Sequence, residues 1–245
     1  MTESLTGKRI LITGGSTGIG AATARKFVRS GATVVIGDIN EKAGIDLVNQ
    51  LNKTNTVAFF KKCDVSNEDE IIKLVNFANK SMSGIDGLVT SAAIAKSTTI
   101  PIDEFESDDW LNTISVNLTG TYLSIKHSVP ILEKSGHGVV LMIASGAGVK
   151  GGSSMVGYGA SKGGVSGLFL TIEKNLSERN IRANLVCPGS ISTPLKLDII
   201  RKQSKVYGNK FVHSSNLGDP NGVGDVLCFL MSIEADYVRG AIFTR

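Results

Sequence analysis

Short β-branched apolar runs alternate along this chain with amphipathic stretches of helical period. The runs are 10–12, 33–36, 57–60, 87–89, 139–143 and 183–186; the helical stretches between them cover 18–30, 41–52, 67–81, 107–134 and 157–179. An apolar run without polar alternation suits a strand covered on both faces. Strand and helix in strict turn imply βαβ units, so the expected fold class is α/β, a doubly wound parallel sheet with helices on both faces. No proline-rich linker or composition break divides the 245 residues, which predicts one domain over 1–245. Residues 190–220 are polar, mixed and weakly periodic, and an excursion of that length predicts a substrate-binding loop or lid.

Bulk composition narrows the function classes. The formal charge is only +4 and Lys and Arg form no long run, so nucleic acid is not an expected partner. No apolar run approaches the roughly 20 residues of a membrane span. Cys63, Cys187 and Cys228 form no CxxC pair, which predicts buried thiols in a reducing, cytoplasmic setting. His127, His137 and His213 show no HxxxH or HExxH spacing, so no metal site is expected.

Half of the 28 glycines fall in 14–20, in 146–167 and at Gly189. The first group lies in Thr13-Gly14-Gly15-Ser16-Thr17-Gly18-Ile19-Gly20, between the first apolar run and the first helical stretch. Glycines there permit a sharp turn and close approach to a pyrophosphate, and the following helix start supplies free N–H groups and a positive dipole end. A tight strand-to-helix turn without ligand is the bland alternative. Asp38 ends the second strand, near the roughly 20-residue distance at which a dinucleotide fold places an acid on the ribose 2′-OH. That carboxylate would repel a 2′-phosphate, and Ile39, Asn40 and Glu41 offer no cation, which favours NAD over NADP. Asp64 and Val65 follow the third strand; Asp64 is read evenly as a contact to adenine or as a loop acid before the next helix.

Tyr158 and Lys162 are spaced i and i+4, on one helix face. A cation close to a phenol lowers its pKa from near 10 and suits it to general acid–base work. Ser145 follows the run 139–143, at the carboxyl end of a strand, where open α/β sheets bind ligands. Asn117 is a poor interior helix former in a helical stretch, which calls for a cap, a helix distortion or a polar site. Trp110 reads as an anchor against the domain, and Gly163, Gly164 and Gly167 as a close helix approach, within the chain or across a subunit interface. Met155, Leu195 and Leu197 are candidate substrate contacts.

Taken together, these motifs resemble the short-chain dehydrogenase/reductase family over nearly the whole length. Residues 13–20 match its TGxxxGxG turn; Asn117, Ser145, Tyr158 and Lys162 match its catalytic tetrad; Pro188-Gly189 through Ile191 and Thr193 match its PG-x-I-x-T segment. The resemblance implies a single-domain Rossmann-like fold and NAD-dependent interconversion of a secondary alcohol and a ketone. It implies Tyr158 as proton donor or acceptor, with Lys162 lowering its pKa and holding the nicotinamide ribose. Ser145 would bind the substrate oxygen and Asn117 would hold a water linking Lys162 to solvent. Gly14, Ser16, Thr17, Gly18, Ile19, Asp38, Ile39, Asp64, Val65, Ala92, Ala93, Pro188, Gly189, Ile191 and Thr193 would line the cofactor site, the last two at its nicotinamide end. A homo-oligomer, tetramer or dimer, is implied. The alternatives are an NADPH-dependent ketoreductase acting on carrier-bound acyl groups and a catalytically silent NAD(H) sensor. Two departures stand out. Thr90-Ser91-Ala92-Ala93 replaces the family's NNAG, and the chain stops at Gly240–Arg245 where relatives continue through Asp-Gly-Gly.

Overall fold

The computed structural model describes residues 5–151, 153–208 and 216–244; the expectation for His213 lies outside them. β1 (Arg9–Thr13) leads through α1 (Gly18–Arg29) to β2 (Thr33–Asp38), then α2 (Glu41–Leu51), β3 (Ala58–Lys62), α3 (Glu68–Met82) and β4 (Gly87–Thr90). α4 (Ser107–Ile114) runs through a π turn, Ser115–Thr119, into α5 (Gly120–Lys134) and β5 (Gly138–Ile143). The short α6 (Gly146–Val149) precedes α7 (Val156–Ser177), β6 (Ile181–Cys187), α8 (Pro194–Tyr207), α9 (Pro220–Met231) and β7 (Gly240–Phe243).

The strands form one sheet in the order β3-β2-β1-β4-β5-β6-β7, with every pairing parallel. The order reverses between β1 and β4, and a cleft opens at the carboxyl ends beside such a switch point. Successive strand side chains serve opposite faces. Leu11, Val35, Leu88 and Val140 pack with Leu74 of α3, Leu132 of α5 and Phe169 of α7. Ile10, Val34, Val89 and Leu141 pack on the other face with Phe27 of α1 and Leu227 of α9. Burial on both faces is why the strands read as uninterrupted apolar runs.

Helix starts carry their own chemistry. Asn67 caps α3 by accepting from Glu70 N at 3.2 Å, and Asn40 caps α2 through Ala43 N at 3.1 Å. At the amino end of the sheet Arg9 grips Asp86 with Nε and Nη2, at 2.8 and 2.7 Å, tying β1 to β4.

Two expectations need correction. Much of 190–220 is helix, because Thr193 caps α8 and Pro194 supplies a pre-formed first turn. Its period was hidden because Ile199 is its one buried residue. Trp110 is 39% exposed on α4 and anchors nothing in the core. The close approach expected of Gly163 and Gly164 is made within the chain, where a Cβ on Gly163 would press the Gly148 carbonyl and one on Gly164 would press Leu118, whereas Gly167 has no close neighbour.

Candidate active site

The turn after β1 is built for a ligand's backbone-like approach. Gly14 has φ +68°, and a Cβ there would overlap the backbone of Ala92. α1 begins with neither a side-chain cap from Thr17 nor an acid in its first turn, so its first N–H groups are left for an anion. Behind the turn the Ser16 hydroxyl is buried without a hydrogen-bond partner among the described residues. These features fit the pyrophosphate of a dinucleotide.

Asp38 closes β2 beside this turn. Its Oδ2 accepts from Ser16 N and its Oδ1 from Asn40 N, each at 2.9 Å. The carboxylate therefore fixes the glycine turn as well as facing the cleft. Asp64 is used locally: its Oδ1 accepts from Ser66 N and Oγ, at 2.9 and 2.7 Å. The loop-acid role is thus present, and Asp64 also lines the cleft.

The cleft has a volume of about 850 Å³. Gly14, Thr17, Gly18, Ile19, Asp38, Ile39, Asp64, Val65, Ala92 and Ala93 line one part of it. Ser145, Tyr158, Lys162, Pro188, Gly189, Ile191 and Thr193 line the other. Met155 and Leu195 reach it, whereas Leu197 does not and is half exposed. Ser16 and Asn117 do not line it either.

Ser145 caps α6, its Oγ accepting from Ala147 N at 3.2 Å. A Cβ on Gly148 would collide with Gly163 N and Lys162 C, so α6 lies directly against α7 and brings Ser145 to Tyr158. Burial pushes the Tyr158 phenol up, and a hydrogen bond with Ser145 acts in the opposite direction. Lys162 is buried, donates to the Ile143 carbonyl at 2.7 Å, and stands 5.9 Å from the Tyr158 ring centroid. Burial pushes its ammonium down to about 8, with Cys187 slightly opposing. The lowering of Tyr158 by Lys162 that the spacing predicts is not found: burial and Ser145 act on the phenol, and burial governs Lys162.

Asn117 sits in the π turn and is fully buried. Its Oδ1 accepts from Ile94 N at 2.8 Å, and its Nδ2 donates to Ile94 O and Ser161 Oγ, each at 2.9 Å. The side chain thus ties the segment after β4 to α7. Ser161, Lys96, Lys150 and Lys196 were missed by sequence reasoning. The three lysines line the cleft, each just past a strand's carboxyl end, and that position was the available signal. Among the described residues no cluster of His, Cys, Asp and Glu could hold a metal ion, and no helix is long and apolar enough to cross a membrane.

The family model described as short chain dehydrogenase matches residues 8–204. The chain belongs to the short chain dehydrogenase family. Within it, the chain is 33% identical to the 3-oxoacyl-acyl-carrier-protein reductase FabG of Thermotoga maritima, over 97% of this chain and 96% of that protein. It is 32% identical to the 7alpha-hydroxysteroid dehydrogenase of Escherichia coli K12, over 98% and 93%. The crystal structure of levodione reductase matches with a TM-score of 0.90 at 27% identity, covering 97% of this chain and 96% of that one. As a short chain dehydrogenase the protein is an oxidoreductase acting on alcohol- or ketone-type substrates through a nicotinamide cofactor.

Proposed function

We propose that this short chain dehydrogenase uses NAD to interconvert a secondary alcohol and a ketone, with Tyr158 as general acid–base. The observation that carries the reading is one cleft that holds Ser145, Tyr158 and Lys162 beside a turn fitted to a dinucleotide pyrophosphate. Gly14, Ser16, Thr17, Gly18 and Ile19 would hold the pyrophosphate and Asp38 the adenosine ribose, with Ile39, Asp64 and Val65 around the adenine. Ala92, Ala93, Pro188, Gly189, Ile191 and Thr193 would flank the nicotinamide half.

The bound nicotinamide supplies the acceptor or donor of the hydride. In the oxidation direction the alcohol loses a hydride from carbon and a proton from oxygen, and Tyr158 takes that proton. Ser145 donates a hydrogen bond to the same oxygen, where negative charge develops. Lys162, held by Ile143, places a positive charge or donor behind Tyr158 and toward a ribose hydroxyl. Asn117 acts as a positioning residue, fixing Ile94 and Ser161 around the cleft. The α8 region of 190–220 would close over the substrate, the whole of 1–245 acting as one domain and assembling as a homo-oligomer. The three buried cysteines, none of them in a disulfide, support a reducing, cytoplasmic setting.

A carrier-bound ketoreductase is the second reading, favoured by the 33% identity to the Thermotoga reductase. A Brucella melitensis 3-ketoacyl-(acyl-carrier-protein) reductase of the same fold, TM-score 0.89, was solved with NADH, so that reading does not require NADPH. Initial rates with a ketone panel, with and without acyl carrier protein, and with NADH and NADPH in parallel test both. Turnover preferring NADH supports the first; no turnover with any combination overturns it and leaves a cofactor-binding sensor.

A further inference from the structure

The ionisable groups lining the cleft are sorted by sign along the sheet. The acids are Asp38, the last residue of β2, and Asp64, past the end of β3, and their oxygens already accept from neighbouring backbone N–H groups. Past the ends of β4, β5 and β6 stand Lys96, Lys150 and Lys196, and no acid lines this half. The lysines come from three separate connections, so their convergence is a product of the strand order and not of one basic stretch.

None of the three makes an ion pair among the described residues. Asp198, two residues from Lys196, is engaged elsewhere, pairing with Arg201 and Lys202, and Asp109 on α4 accepts from Ser97. Lys196 is half-buried, and burial pushes it below the ordinary lysine range with no carboxylate offsetting the loss. Lys150 rests its ammonium 4.1 Å from the centroid of Phe243 on β7. Lys196 is the partly desolvated cation of the three, while Lys96 and Lys150 are exposed at the cleft; a cation gains from an anionic partner, and here the protein supplies none among the described residues. Ile94, Met155 and Leu195 add apolar surface to the same cleft. Asp38 lies on the far half of the sheet, so these cations are not placed for a 2′-phosphate on the adenosine ribose.

We propose that the substrate is an anionic hydroxy or keto compound with an apolar body, its reacting oxygen at Ser145 and Tyr158 and its carboxylate or phosphate held by Lys96, Lys150 and Lys196. This rests on the oxidoreductase reading above.

The test pairs each anionic ketone with a neutral counterpart, using NADH and NADPH. One arm compares keto acids such as levulinate with their methyl esters; the other compares dihydroxyacetone phosphate with dihydroxyacetone. The expected result is a preference of about tenfold or more in kcat/KM for the anion, the size of one charged contact. The arm that shows it identifies carboxylate or phosphate. In the Lys96→Gln/Lys150→Gln double variant the anion-to-neutral ratio is expected to fall to near unity, and raised salt to erode it in the unmodified protein. Turnover of the neutral partners at equal or better efficiency, or a ratio unchanged in the double variant, overturns the inference and leaves the oxidoreductase reading intact. No cofactor oxidation with any member of either arm overturns both.

Discussion

The Lys162 ammonium reaches back across 2.7 Å to the main-chain carbonyl of Ile143, the last residue of β5. The bond anchors α7 to the carboxyl end of the central strand and fixes where Lys162 stands relative to Tyr158. It also leaves a buried cation whose close partner is a neutral carbonyl, which is why burial governs its titration.

That burial has a pH signature. Lys162 falls from 10.5 to about 8 in the folded protein. Between those values the unfolded chain holds a proton that the folded chain has released, so stability from this group rises with pH across the window and is lost as pH falls through about 8. Tyr158, raised by burial, acts in the opposite direction above the ordinary phenol value near 10, and the buried Cys63 and Cys187 thiols, also raised, do so above their ordinary 9.0. Urea midpoints of the cofactor-free protein are therefore expected to climb between about pH 8 and about pH 9, and Lys162→Met to remove the climb. An identical slope in the variant would assign it to other groups.

Replacing Tyr158 with phenylalanine removes the proton-transferring oxygen while keeping the ring. Turnover is expected to fall by roughly 10²–10⁴-fold, the usual span of general acid–base catalysis. NADH affinity, followed by fluorescence titration, is expected to stay within a few fold, because the glycine turn and Asp38 lie on other elements.

Asp38→Ala is expected to shift the kcat/KM ratio from NAD toward NADP by removing a negative charge from beside the ribose. The variant also strips an acceptor from Ser16 N, so a second change, Asp38→Asn, separates charge from geometry. Steady-state rates with both cofactors read this out. An unmodified protein with equal efficiency on both would show that Asp38 does not discriminate.

Asn117→Ala leaves the amide and carbonyl of Ile94 and the hydroxyl of Ser161 short of a partner. Each buried group left unsatisfied costs about 1–3 kcal/mol. Chemical unfolding is expected to show a loss on that scale. KM should rise more than kcat falls, since Ile94 lines the cleft and Asn117 does not.

The parts of this protein legible in the sequence are those whose partners lie close along the chain. The glycine turn, Asp38 and the Tyr158–Lys162 pair are set by local spacing, and two-sided burial makes each central strand an apolar run. α8 escaped notice because a helix lying on the surface needs little apolar surface of its own; only Ile199 is buried. The basic half of the cleft escaped because Lys96, Lys150 and Lys196 come to line one cleft only once β4, β5 and β6 lie side by side. Asn117 was flagged as out of place in a helix, but its partners Ile94 and Ser161 come from two distant segments that no spacing rule joins. The electrostatics of Tyr158 and Lys162 were misjudged for a related reason: spacing gives their separation, not how dry their surroundings are.

The π turn at Ser115–Thr119 carries a cost for the chain's freedom to change. It holds one residue more than the regular helical path, and deleting that residue would yield a smoother rod of better backbone geometry. The smoother rod would rotate all of α5 by about 100° about its axis, swinging Leu123, Val129 and Leu132 away from the sheet they cover. The chain is thus indexed to its own irregularity: a local repair would throw the downstream helix out of phase with the rest of the protein. Insertions and deletions there should be far less tolerated than substitutions at the same positions.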